Sequence, residues 1–337
     1  MAVPLLPKIR TKIRRITRAP SPEQITNTEI DEYINDFVLY DMPEHLRLFA
    51  LREKFSFTCL ANIDTYQTDA TAAVVALRDF DQNYITVHQP VFVAGQPVYY
   101  SEDRTEFYGM FPQNNAFTTV GTGNGVITNF SGTISNKPIL QNSVLFESVT
   151  KTVPPLTNNI TIAARDVPNS VTEGDLVDVQ TGAFLGLINY LTGLFNITFV
   201  NAPGAQKKVV AQYIPYQAGR PTAMLYFDDY FVLRPVPDQA YVIDFEVYKR
   251  PIALSATNLT PKLEQWWQYI AYGAAKKVFE DRSDFDSVQQ IMPEFEKQED
   301  LVNRRTEQQY VTKRIYTPYA QQVENNNWPS GWNGYGF

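Results

Sequence analysis

Cysteine and histidine are nearly missing from this chain. Its 337 residues hold one cysteine, Cys59, and two histidines, His45 and His88. A single thiol excludes an intrachain disulfide and a thiolate metal cluster. Zinc sites take three or four ligands from Cys, His and carboxylates, so that supply is poor as well. A hydrolytic triad needs a histidine beside a nucleophile and an orienting acid, and no nucleophile elbow accompanies either one. No apolar run reaches the roughly 18 residues of a membrane-spanning helix. The opening MAVPLLPKIRTKIRR puts a short apolar piece ahead of its charges, the wrong order for a secretory signal.

Other candidates for chemistry read as structure. GTGNG at 121–125 is glycine-rich but fits neither phosphate-binding fingerprint and opens no helix, so it reads as a turn. Asp284 with Asp286, and Asp175 with Asp178, lack the rest of a calcium loop and read as a cap and a turn. Asp228, Asp229, Asp244 and Glu246 are carboxylates of the kind glycoside hydrolysis pairs, but sequence does not encode their separation in space. The N-x-S/T triplets at Asn129, Asn159, Asn196 and Asn258 matter only in a eukaryotic secretory setting, which nothing else indicates. The expectation is a chain that is not an enzyme and has no cofactor or metal site.

What is present is a foldable chain. Hydrophobic residues make up 44% and charged residues 19%, which excludes wholesale disorder. The length suits two or three domains with a real core. Tyrosine and phenylalanine are abundant, at 20 and 21, and such composition leans towards association. The net charge of −7 hides an asymmetry. Residues 1–20 carry Lys8, Arg10, Lys12, Arg14, Arg15 and Arg18 with no acid, so they hold +6 and the remainder −13. That segment reads as a basic extended arm for an acidic partner or DNA phosphates, against the plainer reading of a solvated terminus. An acidic body argues against broad coating of nucleic acid.

The hydrophobic period divides the chain. Ser21-Pro22-Glu23 and then Thr28 are helix-start signals. Ile30, Tyr33, Ile34, Phe37 and Val38 form one helical stripe, and Asp41-Met42-Pro43-Glu44 breaks it and opens the next helix. From Phe55 the period becomes two, with short strands between turns. Residues 121–215 read as a separate antiparallel sandwich or barrel, with Ile188, Tyr190, Leu194, Ile197 and Phe199 in its core. Strands resume after 216. Thr260 and Pro261 then open a helix whose stripe is Leu263, Trp266, Trp267, Ile270, Ala271, Ala274 and Val278, with Gly273 and Ala274 permitting close approach. A further helix carries Phe285, Val288 and Ile291, is kinked or restarted by Pro293, and runs highly charged to about 314.

The fold expected is α+β. A helical bundle forms from N- and C-terminal helices, with strands, an inserted antiparallel β-sandwich or barrel, and extended termini. The segments are 1–20, 21–120, 121–215, 216–314 and a polar tail at 315–337. The tail carries Tyr316, Tyr319, Trp328, Trp332, Tyr335 and Phe337. Aromatics on a polar segment without periodicity suit a piece that orders on docking.

IDEYINDFVLYDMPEHLRLF near the start and NLTPKLEQWWQYIAYGAAKKVFEDR near the end resemble the head-to-tail adaptor, or connector, proteins of tailed bacteriophages. FVLRPVPDQAYVIDFEVYKRP is similar to the strand pair preceding the last helices of that family. The 121–215 block is similar to a small β-domain inserted in phage structural proteins. The resemblance implies a virion protein of the head–tail junction, made in the host bacterial cytoplasm. It implies a homo-oligomeric ring, a dodecamer matching the portal, that extends the DNA channel, touches packaged DNA transiently and presents a platform for tail or neck proteins. It places the six tail aromatics on the portal and the six basic residues of 1–20 against a neighbouring ring or DNA. The alternatives are a collar, tail-tube or fibre-attachment protein of the same virion, and a β-rich carbohydrate-binding protein. No membrane partner is expected.

Overall fold

The computed structural model describes residues 5–46, 49–150, 161–254 and 265–310. The expected helix start at Thr260 and Pro261, Leu263 of its stripe, and the triplets at Asn159 and Asn258 lie outside them. The protein is α+β, with strands in curled sheets. It divides into two compact units, one of Met1–Glu53 with Tyr248–Phe337 and one of Lys54–Val247. Its helices are α1 (Leu5–Ile16), α2 (Asn27–Asp36), α3 (Met42–His45), α4 (Phe80–Asn83), α5 (Arg104–Met110), α6 (Trp267–Asp281) and α7 (Phe285–Tyr310).

In the first unit, α1, α2 and α7 all pack on α6. Segment 1–20 is therefore not an extended arm from Leu5 onward. Leu5, Leu6, Ile9 and Ile13 recur every three or four residues and are buried, so the charges lie on the remaining faces of an amphipathic helix. Burying such side chains is worth about 1.5–3 kcal/mol each, enough to hold a short basic helix in place. The start of α2 also differs from expectation. Residues 21–25 turn, and Thr26 is the N-cap: Glu29 N–H donates to Thr26 Oγ1 at 3.2 Å, and Thr26 N–H donates back to Glu29 Oε2 at 2.7 Å. Ile30, Ile34, Phe37 and Val38 are buried as their spacing predicts. The chain does not break at Pro43. A π turn over Phe37–Asp41 carries α2 into α3, and Pro43 sits in the first turn of α3, where its missing N–H costs little.

Gly273 faces the ring of Phe37 so closely that an added Cβ would collide with it. The close approach foreseen there is made to Phe37, which also meets Tyr269 edge-on at 5.2 Å. Tyr269 in turn stacks on Phe295 at 5.2 Å. Asp284 caps α7 by accepting from Ser287 N–H at 3.1 Å. The helix then runs through Pro293 without restarting, and Phe295 and Val302 bury its inner side. Phe285, expected in the stripe, is exposed.

The second unit contains the two main sheets. Their strands are β1 (Arg52–Thr58), β2 (Thr65–Gln67), β3 (Tyr84–Val93), β4 (Gln96–Ser101), β5 (Ala116–Thr122), β6 (Asn129–Thr133), β7 (Leu145–Val149), β8 (Thr161–Pro168), β9 (Glu173–Asp178), β10 (Phe184–Asn189), β11 (Leu194–Thr198) and β12 (Lys208–Tyr213). There follow β13 (Ala218–Gly219), β14 (Ala223–Phe227), β15 (Tyr230–Arg234), β16 (Val236–Pro237) and β17 (Val242–Lys249). The seven-stranded sheet runs β1-β17-β3-β4-β14-β15-β2, and β4 and β14 are parallel. Its core is aromatic, with Phe55, Phe57, Phe80, Phe231 and Phe245 in mutual contact.

The eight-stranded sheet runs β5-β12-β7-β8-β9-β10-β11-β6 and is antiparallel throughout. It begins at Ala116, five residues before the expected boundary. The sheet curls until its two edge strands approach, and the ring of Phe130 on β6 fills the space where Gly121 on β5 lacks a side chain, 2.5 Å from an ideal Cβ. Ile188, Tyr190, Ile197 and Phe199 are buried as expected, but Leu194 is exposed. Side chains alternate along a strand, so Leu194 cannot share a face with Phe195, Ile197 and Phe199. Asp166 pins the base of this sheet. It accepts from Asn142 N–H at 2.7 Å, Val144 N–H at 2.9 Å and Tyr190 Oη at 2.8 Å, and burial pushes its carboxyl up.

Candidate functional site

The basic residues of 1–20 are placed by α1, and most are used within the first unit. Arg10 grips Asp31 of α2 with two donors, its Nε donating to Oδ1 at 2.6 Å and its Nη2 to Oδ2. Arg14 donates to Ser21 O at 3.0 Å and Asn27 Oδ1 at 2.9 Å, tying the turn before α2 to α1. Lys8 Nζ lies 4.0 Å from the centre of the Trp267 ring, and Lys12 Nζ 5.0 Å from that of Tyr272. Glu294 is held below its ordinary range by Gln298 and Lys297, with a smaller pull from Lys12. Asp284 is lowered by Ser287, with help from Arg18. Three of the six charges thus act on acids, Arg10 on Asp31, Lys12 on Glu294 and Arg18 on Asp284. Arg15 and Arg18 remain exposed, and Arg15 has no partner among the described residues. Sequence spacing hid this, because the acids lie far along the chain.

Tyr316, Tyr319, Trp328, Trp332, Tyr335 and Phe337 lie outside the described residues. The carboxylates considered for catalysis are scattered into structural work. Asp228 and Asp229 form the β14–β15 turn with φ of 51° and 59°. Asp244 pairs with Lys54 at 3.2 Å, and Glu246 sits on β17. Asp178 accepts from Gln180 and Thr181 N–H at 2.9 and 2.7 Å, as a turn residue does. Asn124 does the same for Val126 and Ile127 within GTGNG. His45 ends α3 and His88 lies on β3. No group of three metal-ligating residues is present among the described residues.

A cleft that no motif marked lies in the second unit. A cavity of about 730 Å³ opens beside β2 and the 140–143 turn, and one of about 450 Å³ beside residues 110–114 and 214–217. Gln113, Leu140 and Ile214 line both, so the two cavities are neighbours. Asp64 lines the larger and Arg234 the smaller. The two are ion-paired, Nη1 to Oδ2 at 2.5 Å, with each side chain only 10% exposed. Arg234 Nη1 also donates to Leu233 O at 3.0 Å, while Nη2 is buried without an acceptor. Residues 170 apart gave no local signal of this pair.

A scan against known protein-family models gives no match to this chain, and a search of the curated proteins gives none either.

Proposed function

We propose that the protein is a structural virion protein of a tailed phage, a ring-forming head-to-tail adaptor that docks on the portal. One observation carries the reading. Both ends of the chain build a single helical unit, while Lys54–Val247 folds as a unit of its own. That layout suits an adaptor in which a bundle of terminal helices forms the ring wall and the curled eight-stranded sheet is an inserted antiparallel barrel. The described part of α7 reaches Tyr310, and the aromatic tail that follows in sequence runs onto the portal on this reading.

The engagement of Lys8, Arg10, Lys12 and Arg14 inside the first unit changes one part of the proposal. Contact with a neighbouring ring or with DNA falls to Arg15 and Arg18. The balance of the chain is acidic, which keeps a channel wall from gripping phosphates. The test is imaging and mass determination of the purified protein, alone and with its portal, beside a variant lacking 315–337. Rings that need the portal and the tail support the reading. A monomer indifferent to portal rejects it, and portal binding by the truncated chain rejects the tail as the docking segment.

A further inference from the structure

One end of the eight-stranded sheet gathers exposed apolar side chains. β5, β9 and β11 finish there and β6, β10 and β12 start there, so the loops 123–128, 179–183 and 199–207 meet at one rim. Five large apolar residues stand out from it: Val126 is 80% exposed, Val200 70% and Phe184 62%, with Ile127 and Val179 each about half exposed. Strand register makes them neighbours. Phe184 opens β10 beside the end of β11, where Gly186 pairs with Ile197. Phe199 N–H donates to Thr128 O at 3.0 Å, which brings the 124–128 turn beside Val200. Exposed apolar residues scattered singly are ordinary, whereas a gathered set marks a contact with a protein or a membrane.

Two further observations choose between these. The loops satisfy their own backbone donors. Asn124 Oδ1 accepts from Val126 and Ile127 N–H at 2.9 and 2.8 Å, and Gly125 N–H donates to Pro203 O at 2.9 Å. Asp178 accepts from Gln180 and Thr181 N–H through its side chain and from Gly182 N–H through its carbonyl. Tips held in this way leave water without stranding an N–H group, as a lipid surface requires. Charge gives the second sign. Residues 21–337 carry −13, yet the three loops contain no acid. Asp178, at their margin, is taken up by the 180–181 turn. Lys207 and Lys208 are exposed at the same rim and have no ion pair among the described residues. Lys207 O accepts from Gly123 N–H at 2.7 Å, which fixes it at the foot of the 123–128 loop.

We propose that this rim docks on an anionic phospholipid surface. Val126, Ile127, Phe184 and Val200 enter the headgroup boundary, and Lys207 and Lys208 meet lipid phosphates. A stable protein interface takes about 20–30 residues a side, far more than five apolar anchors on three loops. A bilayer needs no matching shape and flows around each tip. No described helix is long and apolar enough to cross a membrane, so the contact is with the surface. The inference goes beyond the adaptor reading and reverses the expectation of no membrane partner.

The test is flotation of the full-length protein with vesicles of phosphatidylglycerol and phosphatidylethanolamine in equal parts, beside vesicles of phosphatidylcholine alone. Saturable binding to the anionic vesicles is expected, at least about tenfold tighter than to phosphatidylcholine. The double change Val126→Ser and Ile127→Ser should weaken it about tenfold at unchanged Tm, since neither side chain is buried. Lys207→Glu with Lys208→Glu should erase the preference for anionic lipid. Phe117→Ser is the control: Phe117 is 66% exposed but lies at the opposite end of β5, and its loss should change nothing. Four outcomes overturn the proposal: no binding to anionic vesicles, equal binding to both lipids, full binding by the Val126→Ser, Ile127→Ser variant, or an equal loss in Phe117→Ser. If anionic vesicles are not bound and the Val126→Ser, Ile127→Ser change instead abolishes self-association, the rim belongs to a second copy of the chain.

Discussion

Each unit of this protein holds an arginine–aspartate pair, and the two pairs do opposite jobs. Arg10 and Asp31 meet at the surface of the helical unit, each side chain 24% exposed. Water and salt compete there, so the pair orients α1 against α2 and contributes little energy. Arg234 and Asp64 meet inside the β unit, each side chain 10% exposed. Desolvation there makes the pair expensive to assemble and more expensive to split. The helical unit is held by packing and spends its charges outside. The β unit buries a charge pair and leaves one guanidinium nitrogen without an acceptor among the described residues.

The sharpest way to break the comparison is to remove one partner of each pair. Asp64→Ala leaves a buried unpaired guanidinium and should cost the second unit about 3–5 kcal/mol. Urea unfolding read by fluorescence would measure it, and a loss below that of a surface pair would contradict the burial argument. Gly273→Ala tests packing in the helical unit. The new methyl group meets the Phe37 ring and should cost about 1–3 kcal/mol, seen as a lower Tm.

Asp166 gives the β unit a pH signature. Asp166→Asn replaces an acceptor by a donor facing Asn142 or Val144 N–H, a loss of about 1–3 kcal/mol. Burial raises the native carboxyl above its unfolded value, so the native state binds the proton more strongly. Stability from that proton is full below about pH 4 and is lost as pH rises through the raised native value. The stability of the wild type relative to Asp166→Asn should therefore fall from acid towards neutral pH, and a rise would refute the sign.

Smaller effects belong to the surface of the helical unit. Thr26→Ala removes the cap of α2 and should cost about 1 kcal/mol, with loss of helix signal at the first turn. Asp31→Ala should cost less than about 1 kcal/mol, and added salt should shrink the difference further. The Asp64→Ala loss should respond far less to salt, which makes ionic strength the cleanest discriminator between the two pairs.

Periodicity made much of the helical unit legible. The stripe Ile30, Ile34, Phe37 and Val38 reads directly as one buried face, and so do Ile270, Ala271, Ala274 and Val278. The same rule applied to Leu5, Ile9 and Ile13 identifies α1, but the dense positive charge around them points to a free arm instead. Burial of Leu5, Leu6, Ile9 and Ile13 holds the basic helix in place, and its charges meet Asp31, Trp267 and Tyr272, which local sequence does not reveal. Pro43 reads as a break for a similar reason. A π turn absorbs it, and such a turn has no sequence signature of its own.

By itself, the sequence determined the α+β class, the antiparallel block in the middle and most of the buried faces. Those follow from local alternation, and alternation is a property of neighbouring residues. Only the tertiary structure decided which charges pair and where a cleft opens. Asp64 meets Arg234 because β2 and β15 lie side by side. Gln113 and Gln217 face one space because distant loops converge there. Coulomb interactions and cavities depend on distance in space, and the chain order does not carry it.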